Sequence, residues 1–230
     1  ERAAEAEVMS VAEQYLAGTE DVAALGAGAY GVARLGDAAA VLVERGAAGF
    51  TTNEVARRAG CSQGAVFKHH ATKADLLAAV VADLFAGLVA RYEGEFAARA
   101  GGGSLVADAD PVARLGVGLD LLWEVFQDER LLAAYDLFAA ARTDVDLQAD
   151  LEPVVRAHEA NLHALADVLF PDVLVEDRRR LHDAVDLASA AMQGLVINRI
   201  AVPDPEVEAR VRALLHEWVA DRLLAREPGR

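Results

Sequence analysis

The chain has 230 residues, of which 54% are hydrophobic but only 6% aromatic, and strong helix formers in that excess predict an all-α fold. No stretch approaches the roughly 20 uncharged apolar residues of a membrane span, the acidic first residues do not read as a signal peptide, and the one cysteine, Cys61, rules out a disulfide within these residues. A soluble cytoplasmic protein without membrane contact is expected, and its net charge of −15 argues at first against a polyanionic partner.

In chain order, residues 3–17 read as an amphipathic helix with Val8, Val11, Ala12, Tyr15 and Leu16 on one stripe. The joint Gly26–Gly31 matches the spacing G-x-G-x-x-G. A dinucleotide site needs a strand before those glycines, and here a helix precedes them, so the stretch reads as a connector. A helix over Val32–Glu44 buries Leu35, Ala38, Ala39 and Leu42 and stops at Gly46. Thr51 caps a short helix over 52–59 that Gly60 ends, and Ser62 caps another from Gln63 to about His69. A long helix follows over 73–99, with Leu76, Leu77, Val80, Val81, Leu84, Leu88 and Tyr92 at helical spacing. Ala100-Gly101-Gly102-Gly103-Ser104 reads as a flexible linker. Asp110-Pro111 opens the next helix, and further helices fit 130–142, 146–170, 176–201 and 205–226. The expected organisation is an acidic N-terminal helix and glycine-rich joint (1–31), a three-helix domain (32–78) and a larger helical domain (79–230).

The charge is unevenly spread. Residues 32–75 set Arg34, Arg45, Arg57, Arg58, Lys68 and Lys73 against Asp37, Glu44, Glu54 and Asp75, whereas the flanking regions are acidic. The only two lysines of the chain lie in that one positive segment, the pattern of a small DNA-facing surface on an acidic body. The same segment spells two short helices around a tight turn at Gly60-Cys61-Ser62. A helix-turn-helix needs small residues where its helices approach, supplied by Ala56 and Gly60, and buried apolar residues, here Val55, Ala59, Val66 and Phe67. It also needs an exposed N-terminal end on the second helix to enter the major groove, and Gln63, Gly64 and Ala65 stand there.

Glu44-Arg45-Gly46 closing the first helix, Thr51 capping the second, Ala59-Gly60-Cys61-Ser62 in the turn, Gln63-Gly64-Ala65-Val66-Phe67-Lys68-His69-His70 after it, and then Lys73, form one pattern. From Arg34 to Leu77 it resembles the tetracycline-repressor (TetR) family of bacterial regulators. The resemblance implies a ligand-responsive repressor, dimeric on a palindromic double-stranded DNA operator, with a small-molecule effector bound in the C-terminal helices. It places Gln63, Gly64 and Ala65 against base edges. Thr51, Phe67, Lys68, His69 and Lys73 take the phosphates or the groove wall. Phe67 stands where the family usually has Tyr, so a hydroxyl contact to phosphate is lost. His70 stands where an apolar residue normally packs, which points to disturbed packing or to a partly exposed imidazole. The resemblance also implies a four-helix dimer interface from the last two helices, here with Ala188, Ala191, Leu195, Leu214, Leu215 and Trp218.

Outside the motif, Trp123, Phe126, Tyr135, Phe138, His158 and Met192 are the candidates to line an effector pocket. His158 and His163 are five residues apart, which turns them away from each other on a helix; His163 and Asp167 share a face, but a pocket or solvated histidine is the expectation and no metal is expected. Cys61 reads as a small buried residue. No set of nucleophile, base and orienting group is recognisable, so an enzyme is not expected, and no cofactor is. The alternatives are a related module that binds a ligand or a protein without DNA, and an all-helical enzyme.

Overall fold

A computed structural model describes residues 29–99, 110–170 and 178–224. The expected helix over 3–17 and the linker at 100–104 lie outside the described residues. Those described form nine α-helices and no strand: α1 (Ala29–Gly49), α2 (Thr52–Arg58), α3 (Gln63–Phe67), α4 (Lys73–Arg99), α5 (Pro111–Phe126), α6 (Glu129–Ala141), α7 (Val145–Leu169), α8 (Arg178–Ala201) and α9 (Pro205–Leu224). Where the sequence reading set a helix end among the described residues, the two agree to within about two residues except in α1, which starts earlier and resumes for one turn beyond a break at Gly46, where φ is +64°. That left-handed backbone suits glycine and no β-branched residue.

The chain divides into two compact units, and α4, α6 and α7 each contribute to both. Among the described residues, the first unit contains 29–90 and 133–161. Here α1 packs on α2 and α2 on α3. The buried residues Ala38, Val41 and Leu42 of α1, Phe50 between α1 and α2, Val55 and Ala56 of α2, and Leu76, Leu77, Val80 and Val81 of α4 make its core. Further along, Phe85 stacks on His158 at 3.8 Å between ring centroids. Among the described residues, the second unit contains 91–99, 110–132, 162–170 and 178–224, with α5 packed on both α8 and α9. Phe96, Leu115, Leu119, Trp123, Leu181, Ala188, Met192, Val196, Leu215 and Val219 are buried in it. The Trp123 ring lies 5.9 Å from the Arg199 guanidinium and 5.2 Å from that of Arg212.

Candidate nucleic-acid interface

The geometry of residues 50–75 follows from capping. Thr51 Oγ1 accepts the Glu54 N–H at 3.2 Å, which satisfies one of the orphan donors of α2 and contributes about 1 kcal/mol. At the other end Cys61 N–H donates to Ala56 O and Gly60 N–H to Arg57 O, with Gly60 at φ +62°. That is a Schellman closure, and it sets the sharp turn between the two short helices. Ser62 Oγ then accepts the Ala65 N–H at 3.2 Å and starts α3. A third box starts α4: Thr72 Oγ1 accepts the Asp75 N–H at 2.9 Å, while the Asp75 carboxylate accepts the Ala71 N–H at 2.8 Å.

With α3 held this way, Val66 turns inward and is buried, whereas Gln63, Gly64 and Lys68 are exposed and Ala65 is half-buried. Phe67, expected to join Val55 and Val66 in the core, is instead 41% exposed. A five-residue helix has one inward position, and Val66 takes it. The expected buried Ala59 is likewise only half-buried. Thr51 and Lys73 are exposed and His69 half-buried, and the Lys73 ammonium stands 5.7 Å over the Phe50 ring. The His70 side chain is 13% exposed, with Nδ1 3.9 Å from the Asp75 carboxylate, too long for a hydrogen bond. Burial pulls its pKa below the ordinary value. Cys61 is half-buried in the turn.

Two ion pairs tie the scaffold together. Arg57 bonds Glu54 at 2.7 Å and Arg58 bonds Glu44 at 2.6 Å, and these bonds hold both carboxyls below the usual carboxylate range. Arg45 is 3.9 Å from Glu54. The Glu54–Arg57 pair is visible in sequence as i, i+3 neighbours on a helix. Nothing in the sequence signals Glu44–Arg58, which joins α1 to the end of α2.

The family model described as bacterial regulatory proteins of the tetR family matches residues 35–80. The HTH-type transcriptional regulator CymR of Pseudomonas putida is 32% identical over 185 residues, which cover 79% of this chain and 85% of CymR. The chain belongs to the TetR family. TetR-family members are DNA-binding transcriptional regulators, and the all-helical fold agrees with solved structures. A transcriptional regulator from Rhodococcus superposes with a TM-score of 0.61 at 20% identity, over 85% of this chain and 98% of that one. The multidrug binding protein EbrR, in complex with imidazole, superposes with a TM-score of 0.59 at 20% identity, over 85% of this chain and 96% of that one.

In this TetR-family chain the six residues expected to line an effector pocket are divided between the units. Tyr135, Phe138 and His158 are in the first, and Trp123, Phe126 and Met192 are in the second. Tyr135 and Phe138 pack together with centroids 5.8 Å apart. Phe138 lines an open cleft of about 530 Å³ between α6 and α7, alongside Arg142, Leu151, Val155 and Glu159. The second unit holds a small apolar cavity of about 60 Å³ among Tyr92, Leu115, Gly118, Phe170, Ala184 and Ala188. Sequence reasoning missed Tyr92 and Phe170 here; both rings crowd Gly118, whose carbonyl accepts the Tyr92 hydroxyl at 3.0 Å. Burial pushes the Tyr92 hydroxyl pKa far up.

Of the residues expected at a dimer interface, Ala188 (1% exposed) and Leu215 (6% exposed) are used inside the chain, because α5 covers that side of α8 and α9. Leu214 and Trp218 face outward, as do Leu187, Ile197 and Ile200, while Ala191 and Leu195 are half-buried. His163 does not pair with Asp167. It bonds Asp186 on α8 at 2.7 Å, and Asp167 bonds His182 at 2.9 Å, with the two imidazoles stacked 4.3 Å apart. Among the described residues no group of His, Cys, Asp or Glu is arranged to hold a metal ion, and no helix is long and apolar enough to cross a membrane.

Proposed function

We propose that this regulator acts as a homodimer that reads a pseudo-palindromic operator through α3 and leaves it when a small apolar molecule binds among the C-terminal helices. The observation that carries the DNA half is the exposed N-terminal end of α3 on a capped, ion-paired scaffold. Gln63 pairs with a base, Ala65 meets a thymine methyl, and Gly64 lets the backbone approach. Thr51, Phe67, Lys68, His69 and Lys73 contact phosphates and the groove wall, and thereby set register rather than sequence preference. One short helix covers too few base pairs for useful specificity, so two half-sites about 34 Å apart are read together. The second copy docks on the outward face of α8 and α9, where Leu187, Ile197, Leu214 and Trp218 are exposed. The acidic remainder of the chain keeps the rest of the surface away from DNA. A DNA partner places the protein in the cytoplasm, and no catalytic role is assigned.

EbrR is a multidrug binding protein, and the related fold here contains the apolar cavity beside Tyr92 and Phe170. At about 60 Å³ it has the volume of about two waters of the liquid, so an effector enters only by spreading the helices around it. Such a ligand favours the spread state, and its leverage is its difference in affinity between the two states. α4 reaches from Lys73 to Tyr92 and Phe96 and conveys the change to the DNA-facing segment.

The test is fluorescence anisotropy of the protein on duplexes tiling the DNA that flanks its own gene. Saturable binding to one inverted repeat, at least about a thousandfold tighter than to random duplex, supports the proposal. Equal and weak binding to every duplex would leave a ligand-binding module without an operator.

A further inference from the structure

One hydrogen bond joins the first turns of α2 and α3 and serves neither helix as a cap. Gln63 Nε2 donates to Thr52 Oγ1 at 2.8 Å, while the caps come from Thr51 and Ser62. Thr52 is buried and Gln63 exposed, so the bond ties an outward side chain to an inward one.

A primary amide is nearly symmetric in shape but not in chemistry, since its oxygen accepts and its nitrogen donates. A freely rotating glutamine turns either end toward a base. In the major groove adenine offers an acceptor at N7 and a donor at N6, whereas guanine offers only acceptors at N7 and O6. With its nitrogen held on Thr52, Gln63 keeps Oε1 and one N–H for the DNA. That pair matches adenine; at guanine, Oε1 meets O6 and two acceptors oppose each other. We propose that Thr52 is a specificity-determining positioning residue, which holds the Gln63 amide so that the recognition helix selects adenine over guanine at the base Gln63 faces. The proposal rests on the reading of Gln63 as a base-contacting residue. Thr52 acts through Gln63 and needs no contact with DNA of its own.

The experiment selects binders from a duplex library of inverted repeats with randomised half-sites, using the full chain as wild type, Thr52→Ser, Thr52→Val and Gln63→Ala. Wild type is expected to favour adenine over guanine by at least about fivefold at one position of each half-site. Thr52→Ser, which keeps the hydroxyl, retains that ratio. Thr52→Val keeps the shape but loses the acceptor, and the ratio falls to within about twofold while affinity for random duplex stays unchanged. Gln63→Ala abolishes the preference. If every preference survives Gln63→Ala, the reading of Gln63 itself fails. If Gln63→Ala abolishes the preference but Thr52→Val keeps it, or if wild type favours guanine, the positioning role alone is overturned. Circular dichroism checks folding, and Thr52→Ala, judged by the same ratio, replaces Thr52→Val should the latter not fold.

Discussion

The salt dependence of operator binding follows from how few cations this surface leaves free. Arg57 and Arg58 are bonded to Glu54 and Glu44, and Arg45 lies 3.9 Å from Glu54. Among the described residues of the motif, Lys68 and Lys73 have no carboxylate partner. Lys73 stands over the Phe50 ring, which restrains its ammonium group without neutralising it. On the proposed function, a dimer presents four lysines to the phosphates. At about 0.9 per phosphate neutralised, the plot of log K against log salt has an expected slope of about −3.6, well below that of strongly basic repressors. Lys73→Ala removes one contact per subunit and brings the slope to about −1.8, with the same loss of affinity on operator and random duplex. Glu54→Gln releases both Arg57 and Arg45 and steepens the wild-type slope to about −7.2. Anisotropy titrations between about 50 and 200 mM salt resolve these differences. A wild-type slope near about −9 would show that the paired arginines reach the phosphates after all. An unchanged slope in Lys73→Ala would remove that residue from the interface.

Three further outcomes are expected. A Cβ at Gly118 would lie 3.0 Å from both Phe170 Cζ and the Tyr92 hydroxyl, so Gly118→Ala should cost about 1–3 kcal/mol in urea denaturation; an unaltered midpoint would mean that the rings make room. Burial against Phe85 pulls His158 down to about 4 from 6.5. The unfolded chain then binds the extra proton first, so this contribution is fully present above pH 6.5 and is lost as pH falls toward 4, by up to about 3 kcal/mol. His158→Leu should flatten the stability curve over that window, and parallel curves for the two proteins would contradict the assignment. Leu214 is 57% exposed, so Leu214→Arg should leave the protomer folded by circular dichroism. An unpaired charge in the interface costs several kcal/mol, and light scattering should find a monomer without operator affinity; a dimeric variant would place the interface elsewhere.

Helices and their ends were legible because their causes are local. Thr51, Ser62, Asp110-Pro111 and Asp204-Pro205 each stand within a turn of the N–H groups they cap or replace; Asp204, for instance, accepts the Val207 N–H at 3.0 Å. Gly46 and Gly60 were readable as breaks because only glycine takes their positive φ readily. The DNA-facing segment was legible for the same reason, since its turn, caps and lysines lie within 23 residues of one another.

What packing alone decides is which face of each helix meets which neighbour. Periodicity put Phe67 with Val66 in a core, but only Val66 finds one. The family resemblance grouped Ala188 and Leu215 with Leu214 and Trp218, whereas α5 takes the first two and leaves the others outward. Spacing put His163 and Asp167 on one face of a helix with His163 as a pocket or solvated residue, and the fold instead bonds them to Asp186 and His182 of α8. Glu44–Arg58 and Thr52–Gln63 are likewise invisible in sequence, since their partners stand 14 and 11 residues apart on different helices. By itself, then, the sequence determined the helices, their limits and the DNA-facing motif, because backbone hydrogen bonds and caps act within four or five residues. Only the tertiary structure decided the ion pairs, the buried faces and the orientation of the Gln63 amide, because those depend on side chains that meet only when separate helices dock.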